Sequence, residues 1–155
     1  MTQLDVQSLI NLEYARLQVI IDKYDDQRFK TRGWALTIAG GLFAFAANGS
    51  KPALAYAGTV AALLFGYLEG LIIDTQLDVL VRSSELEDLI ESARRGSLDQ
   101  KQDSYVFGIG KLFKGQKFAL SRILSLIRVR PNVWVFYGGL SLALIIGGVI
   151  LEFTR

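Results

Sequence analysis

Glu69 is the residue whose setting poses a chemical question. It sits in "LFGYLEGLIIDTQLD" (Leu64 to Asp78), near the end of an apolar run and just before the chain turns polar. A carboxylate there either handles an ion inside a membrane or is paired where a span leaves it. Other chemistry is sparse. The chain has no Cys and no His, which removes disulfides, thiolate nucleophiles, imidazole bases and the usual zinc ligand sets. "GIGK" (Gly108 to Lys111) resembles part of a phosphate loop, but the first glycine of a Walker pattern is missing. Leu112 also stands where that pattern needs a Ser or Thr hydroxyl. The glycines read instead as a break before the next helix. An intramembrane enzyme needs clustered Ser, His and Asp groups that the chain lacks. No catalytic residue, cofactor or metal ligand is predicted, and the chain is not read as an enzyme.

The elements that must position Glu69 follow from the distribution of apolar residues. They are gathered into three blocks rather than spread with helix or strand periodicity, which is a membrane protein's pattern. "ALAYAGTVAALLFGYLEGLII" (Ala53 to Ile73) carries one charge and "VWVFYGGLSLALIIGGVIL" (Val133 to Leu151) none; both are of spanning length. "WALTIAGGLFAFAAN" (Trp34 to Asn48) is about fifteen residues, short of the ~20 that a ~30 Å hydrocarbon core requires. Only "GSKP" separates it from the second block, so if the second spans, the first returns as its hairpin partner. Asp5, Glu13, Asp22, Asp25 and Asp26 interrupt the first thirty residues, which predicts no signal peptide.

Charge sets the orientation. Arg16, Lys23, Arg28, Lys30 and Arg32 precede Trp34, ten further Lys and Arg lie between Asp74 and Asn132, and Lys51 and Arg155 are the remainder. The positive-inside tendency puts the N-terminus and the long middle segment in the cytoplasm, with the hairpin tip and C-terminus outside. Three crossings fit this split. Trp34 and Trp134 fall at the cytoplasmic boundaries, where indole rings favour the interface.

Outside the blocks, Gln3 to Lys30 lacks Pro and Gly, and Ile10, Tyr14, Leu17, Ile21 and Tyr24 recur at helical spacing. This predicts an amphipathic helix of roughly 40 Å that packs on another helix of the same chain or forms a coiled coil between copies. Glu13 occupies one seam position. A second cytoplasmic helix follows block two, with Leu77, Leu80, Val81, Leu86, Leu89 and Ile90 as its stripe and a stop near Gly96. The two are expected to pair as an antiparallel stalk. Gly96 to Ser104 reads as a loop. In "KLFKGQKFALSRILSLIRVR" (Lys111 to Arg130), Leu112, Phe113, Ala119, Leu120, Ile123, Leu124, Leu126 and Ile127 share one arc and Lys111, Lys114, Lys117, Arg122 and Arg128 the opposite one, with Arg130 the basic exception. With no acidic residue and a span starting at Pro131, this is read as a helix on the anionic inner leaflet; an anion site on phosphate or RNA is the alternative, with direct nucleic-acid binding disfavoured.

Helices in lipid associate through small side chains. Block one offers Ala35, Ala39, Gly40 and Ala44, and block two Ala53, Ala57 and Ala61. Block three offers Gly139, Ala143 and Gly147 at four-residue spacing, taken as the face on which copies pack into a homo-oligomer.

The expected fold is an all-α membrane protein with three transmembrane helices, N-terminus in and C-terminus out. Its parts are an N-terminal amphipathic helix (1–32), a transmembrane hairpin (33–73), a cytoplasmic helix (74–97), a loop and basic surface helix (98–131) and a third span (132–155). With the hairpin tip near 50, facing positions have numbers summing to about 101, which sets Glu69 level with Arg32, about 6 Å inside the cytoplasmic end. A structural ion pair is the preferred reading of Glu69, since an unpaired buried charge costs several kcal/mol, and an ion-conducting group is the alternative.

The order of pieces, with "KTRGWALTIAGGLFAFAA" (Lys30 to Ala47) and "LLFGYLEGLIIDTQ" (Leu63 to Gln76), resembles the SLATT-type two-span effectors of bacterial antiphage defence. The resemblance covers roughly the first two thirds of the chain and rests on hydropathy with Gly33, Trp34 and Glu69; the third span departs from a two-span pattern. It implies a pore-forming or depolarising effector of the bacterial inner membrane, held inactive until a soluble partner or nucleotide signal is sensed. The alternative is a non-catalytic membrane anchor or scaffold that docks a soluble partner through its stalk.

Overall fold

A computed structural model describes residues 3–49, 51–95 and 130–154, all helical apart from short connections. Three helices make up the described chain: α1 (Gln3–Gly49), α2 (Pro52–Arg94) and α3 (Pro131–Phe153). The predicted surface helix with Lys111, Lys114, Lys117, Arg122 and Arg128 lies outside the described residues, as does the loop before it.

The first two helices are longer than the sequence blocks. α1 runs unbroken for 47 residues through Gly33, and α2 for 43 residues through Asp74, so the boundaries read at 32/33 and 73/74 are not helix ends. No proline interrupts either helix beyond its first residue, and glycine is tolerated inside helices that neighbouring helices or lipid support. At the tip, the Lys51 N–H donates to the Ala46 carbonyl at 3.0 Å, satisfying an otherwise orphaned C-terminal acceptor of α1. Pro52 opens α2 and Pro131 opens α3, where the missing N–H costs nothing. By length and apolar composition α2 and α3 can cross a membrane; the shorter first block, continuous with the polar half of α1, does not reach that standard.

The described chain divides into two compact units. One is formed by α1 up to Asp25 with α2 from Asp74 onward. Its core is Ile10, Leu17, Val79 and Leu86, flanked by Tyr14, Ile20, Ile21, Tyr24, Leu89 and Ile90. The stripe of α1 is therefore occupied by α2 of the same chain, which leaves that seam unavailable for a coiled coil between copies. The expected stripe of α2 is met in part: Leu86, Leu89 and Ile90 lie in or against this core, whereas Leu80 and Val81 are exposed and Gln76, Val79 and Ser83 face inward. The reason lies in polar pairing across the seam, where Gln76 Nε2 donates to Asp25 Oδ1 at 3.0 Å and Gln18 Nε2 to Ser83 Oγ at 3.1 Å. Buried Glu13 accepts from Arg82 Nε at 3.0 Å, and Arg82 also reaches Glu85. Burial lowers the Arg82 pKa, but these hydrogen bonds outweigh it and leave the group above the ordinary guanidinium value. Tyr14 donates to Glu87 at 3.0 Å, which holds the phenol above its ordinary pKa.

The second unit contains α1 from Asp26, α2 up to Ile73, and α3. Small residues let its helices approach closely: Ala35, Ala39, Ala46, Ala55 and Ala62 are fully buried. A Cβ built on Gly58 would stand 3.4 Å from the Ala39 carbonyl oxygen. Leu144 of α3 packs onto Ala39 and Ala62, with Phe43 and Leu140 beside it. The small face expected on α2 is rotated: Ala53 and Ala57 are exposed, and Ala55, Gly58 and Ala62 line the contact instead. On α1, Gly40 and Ala44 likewise point away.

Candidate functional site

Glu69 is completely buried, and three helices converge on it. Arg32 of α1 grips it with a two-pronged fork, Nη2 at 2.7 Å from Oε1 and Nε at 2.9 Å from Oε2. Arg28, one turn earlier on the same face of α1, brings its Nε to 3.4 Å from Oε1. From α3, the Tyr137 hydroxyl donates to Oε2 at 2.9 Å. Four donor atoms thus meet two oxygens, about the lone-pair capacity of a carboxylate. A carboxylate so committed has no coordination site left for a passing ion, and this arrangement acts as a clamp.

Local packing explains how each donor is held. The Arg32 guanidinium lies over the Phe136 ring, 5.5 Å from its centroid, and Phe136 meets Tyr137 edge-on at 4.9 Å. Hydrogen bonding to Glu69 raises the Arg32 pKa, and burial opposes it only in part. The Tyr137 ring fits because α2 has glycine beneath it: a Cβ on Gly66 would stand 3.1 Å from Tyr137 Cγ.

The other end of α3 repeats the same device with the roles exchanged. The Tyr56 ring of α2 lies over Gly148 of α3, where a Cβ would meet it at 3.0 Å. A tyrosine lying over a glycine of the facing helix therefore joins α2 to α3 at both ends, and at Tyr137 it is also bonded to a glutamate. Midway, Thr59 donates to the Ala55 carbonyl at 3.3 Å, and the Ser141 hydroxyl is buried with no hydrogen-bond partner.

The sequence reading named Arg32 and Glu69 but omitted Arg28 and Tyr137. The available signals were the four-residue spacing of Arg28 from Arg32, and a phenol in an otherwise apolar span that needs a polar partner. The three small residues of α3 do not share one environment. Gly139 has open space around it and Ala143 is exposed, whereas Gly147 is covered by the Phe43 ring of the same chain, so the stripe is split between internal packing and a free face. Among the described residues no group of three or more acidic side chains is placed to hold a metal ion. No family model, curated protein or solved structure matches this chain.

Proposed function

We propose that this chain is a multi-pass effector of the bacterial inner membrane. In this reading its three helices cross the bilayer as a bundle held shut by the Glu69 clamp and controlled through the antiparallel pair in which α1 begins and α2 ends. Support for three crossings comes from the second unit, where Leu36, Phe45, Val60, Leu63, Leu64, Leu142, Ile146 and Ile150 are exposed on all three helices. Apolar area of that extent is a lipid-facing belt rather than a water-facing surface. With that belt, the short first block crosses as the partner of α2 and both termini take the sides set by the positive-inside tendency.

The observation that carries the effector reading is the clamp itself. Replacing a buried ion pair with well-packed apolar residues is typically neutral or stabilising, so an anchor has no energetic need of one. Its best-attested use is to specify one arrangement among competitors, which suits a bundle with a resting and an opened state. Self-association through the open face around Gly139 and Ala143, together with exposed Gly40 and Ala44 of α1, would supply an assembled opened state. A soluble sensor or nucleotide signal would act on the first unit, and the resemblance to SLATT-type effectors points to antiphage defence. The competing scaffold reading rests on the first unit, where Leu12, Val19 and Val81 are exposed and offer a partner apolar contact.

Induction in a bacterial host with a potential-sensitive dye separates the two. The effector reading expects collapse of the membrane potential, strengthened by Arg32→Gln, which loosens the clamp. Normal potential and growth in both the wild type and this variant discard it in favour of a scaffold.

A further inference from the structure

Ser141 carries a hydroxyl that nothing in the resting bundle uses. The residue is 7 % exposed, and its Oγ is buried with no hydrogen-bond partner among the described residues. An unpaired buried hydroxyl is unfavourable, and alanine would fill the same space. Its surroundings give it a use. Gly66 faces Tyr137 and Ala55 faces Gly148, so α3 runs antiparallel to α2 and Ser141 comes level with Ala62. Hydroxyls then follow one another along the seam. Tyr137 is bonded to Glu69, and Ser141 stands about 6 Å further out on the same buried face of α3. Buried Thr59 of α2 is about 4.5 Å beyond that level, and Tyr56, with its ring on Gly148, about 4.5 Å further. One or two bridging waters span steps of this size. Between Ser141 and Tyr56 the seam is closed by Leu144, which packs on Ala39 and Ala62 and stands 3.5 Å from a Cβ built on Gly58. Trp34–Gly49, Pro52–Leu68 and Pro131–Leu151 contain no Asp, Glu, Lys or Arg. A dehydrated metal cation needs several oxygen ligands at each stop, whereas a proton needs one oxygen that accepts on one side and donates on the other.

We propose that the seam between α2 and α3 is a proton path, with Ser141 as its middle relay, Leu144 as its plug and the Glu69–Tyr137 pair as its inner gate. It rests on the effector reading above and names the conducted species. In the resting bundle Leu144 separates Ser141 from Thr59, and two guanidinium groups within 3.4 Å of Glu69 repel an arriving hydronium. Once α3 shifts, water enters past Leu144, as it does when an apolar constriction opens. Each hydroxyl oxygen takes an incoming proton on a lone pair as it releases its own to the next oxygen, so the hydroxyls are unchanged after a transfer. At the inner end Tyr137 hands its proton to Glu69 Oε2 while taking one from the seam, and Glu69 gives the proton to cytoplasmic water.

The test uses the full chain reconstituted into vesicles loaded with potassium chloride and a pH-sensitive dye, then diluted into choline chloride. With valinomycin alone the lumen acidifies only if the protein carries protons; with a protonophore alone it acidifies only if the protein carries potassium. Arg32→Gln, which loosens the clamp, is expected to acidify the lumen in the first arm and not in the second. Adding Ser141→Ala to that variant should slow acidification about tenfold, the effect of one lost hydrogen bond on a barrier, while Ser141→Thr keeps most of the rate. Because Ser141→Ala removes an unpaired buried hydroxyl, its helical circular dichroism and thermal stability should be undiminished, which separates a lost relay from a lost fold. Leu144→Ala in the otherwise wild-type chain opens the plug with the clamp intact, and the same Ser141 comparison is made on its smaller leak should Arg32→Gln fail to reconstitute. Acidification in the protonophore arm, or a rate that Ser141→Ala leaves unchanged, overturns the proton path and leaves the effector reading standing. No acidification in either arm by the wild type, Arg32→Gln or Leu144→Ala discards the effector reading and the path with it.

Discussion

Removing one partner of the clamp at a time gives an ordered set of costs. Arg32→Gln leaves a fully buried carboxylate with Arg28 Nε at 3.4 Å and the Tyr137 hydroxyl at 2.9 Å. Breaking a buried ion pair from one side costs 3–5 kcal/mol, and with a second guanidinium nearby the expected value is about 3 kcal/mol. Glu69→Gln removes the buried charge itself and keeps an amide oxygen as acceptor. Both arginine side chains are partly exposed, so its cost is about 2 kcal/mol. In the double variant no charge is stranded, and a total near 3 kcal/mol rather than their sum leaves a coupling of about 2 kcal/mol. Trp34 and Trp134 flank the clamp, so reversible unfolding in mild detergent can be followed by their fluorescence. A charge-swapped Arg32→Glu/Glu69→Arg protein is expected to recover part of the loss. Additivity within about 0.5 kcal/mol, or an Arg32→Gln variant milder than Glu69→Gln, would refute the clamp as the link between helices.

Other substitutions probe the same bundle from different sides. Gly66→Ala drives a methyl to 3.1 Å from the Tyr137 ring and is expected to lower stability by about 1–2 kcal/mol in the same unfolding assay. Gly139→Ala meets nothing within 4 Å and should be neutral or slightly stabilising, while Gly139→Ile should reduce cross-linking between copies if they pack on that face. Leu17→Ala, at a fully buried seam position of the first unit, should cost about 2–4 kcal/mol, read by loss of helical circular dichroism on heating. The Tyr14 phenol has a raised pKa in the folded chain, so its contribution is complete below its unfolded value of 10.0 and is lost as pH rises through the folded value. Tyr14→Phe should therefore flatten the alkaline decline of stability measured above that pH.

What could be read from sequence depended on whether a position announced itself by polarity or only by rotation. Antiparallel arithmetic across a four-residue tip brought Arg32 level with Glu69 because a tight connection fixes register. The same sum also describes Asp25 with Gln76, Gln18 with Ser83 and Tyr14 with Glu87, each a hydrogen-bonded pair in the first unit. Apolar spacing finds the α2 seam at Leu86, Leu89 and Ile90 but not at Leu80 and Val81, because apolar identity alone does not mark an inward face. Gln76 and Ser83 are inward because their partners on α1 are polar, and nothing in the spacing of Leu80 and Val81 reveals that. The small face of α2 failed for a related reason: a helix rich in alanine has more than one small stripe, and only contact with Ala39, Leu144 and Gly148 selects Ala55, Gly58 and Ala62. Tyr137 required knowing where the third helix docks, which no local pattern encodes.

The two tyrosine–glycine contacts sharpen what the clamp can do. Tyr56 meets α3 through its ring on Gly148, so parting the two there costs only that packing. At Tyr137 and Glu69 the carboxylate is buried, and withdrawing the phenol strands an acceptor in an apolar surround. The two ends of α3 are alike in construction and unequal in strength. Any opened state that swings α3 away from the hairpin must therefore yield first at Tyr56, with Tyr137 as the last polar tie. Tyr137→Phe removes one charge-assisted hydrogen bond, worth about 1.5–3 kcal/mol, whereas Tyr56→Phe keeps the ring on Gly148 and should cost well under 1 kcal/mol. If the protein is an effector whose opening separates α3, Tyr137→Phe should lower the threshold for membrane depolarisation and Tyr56→Phe should leave it nearly unchanged. Equal effects of the two substitutions on the depolarisation threshold would place the moving part elsewhere.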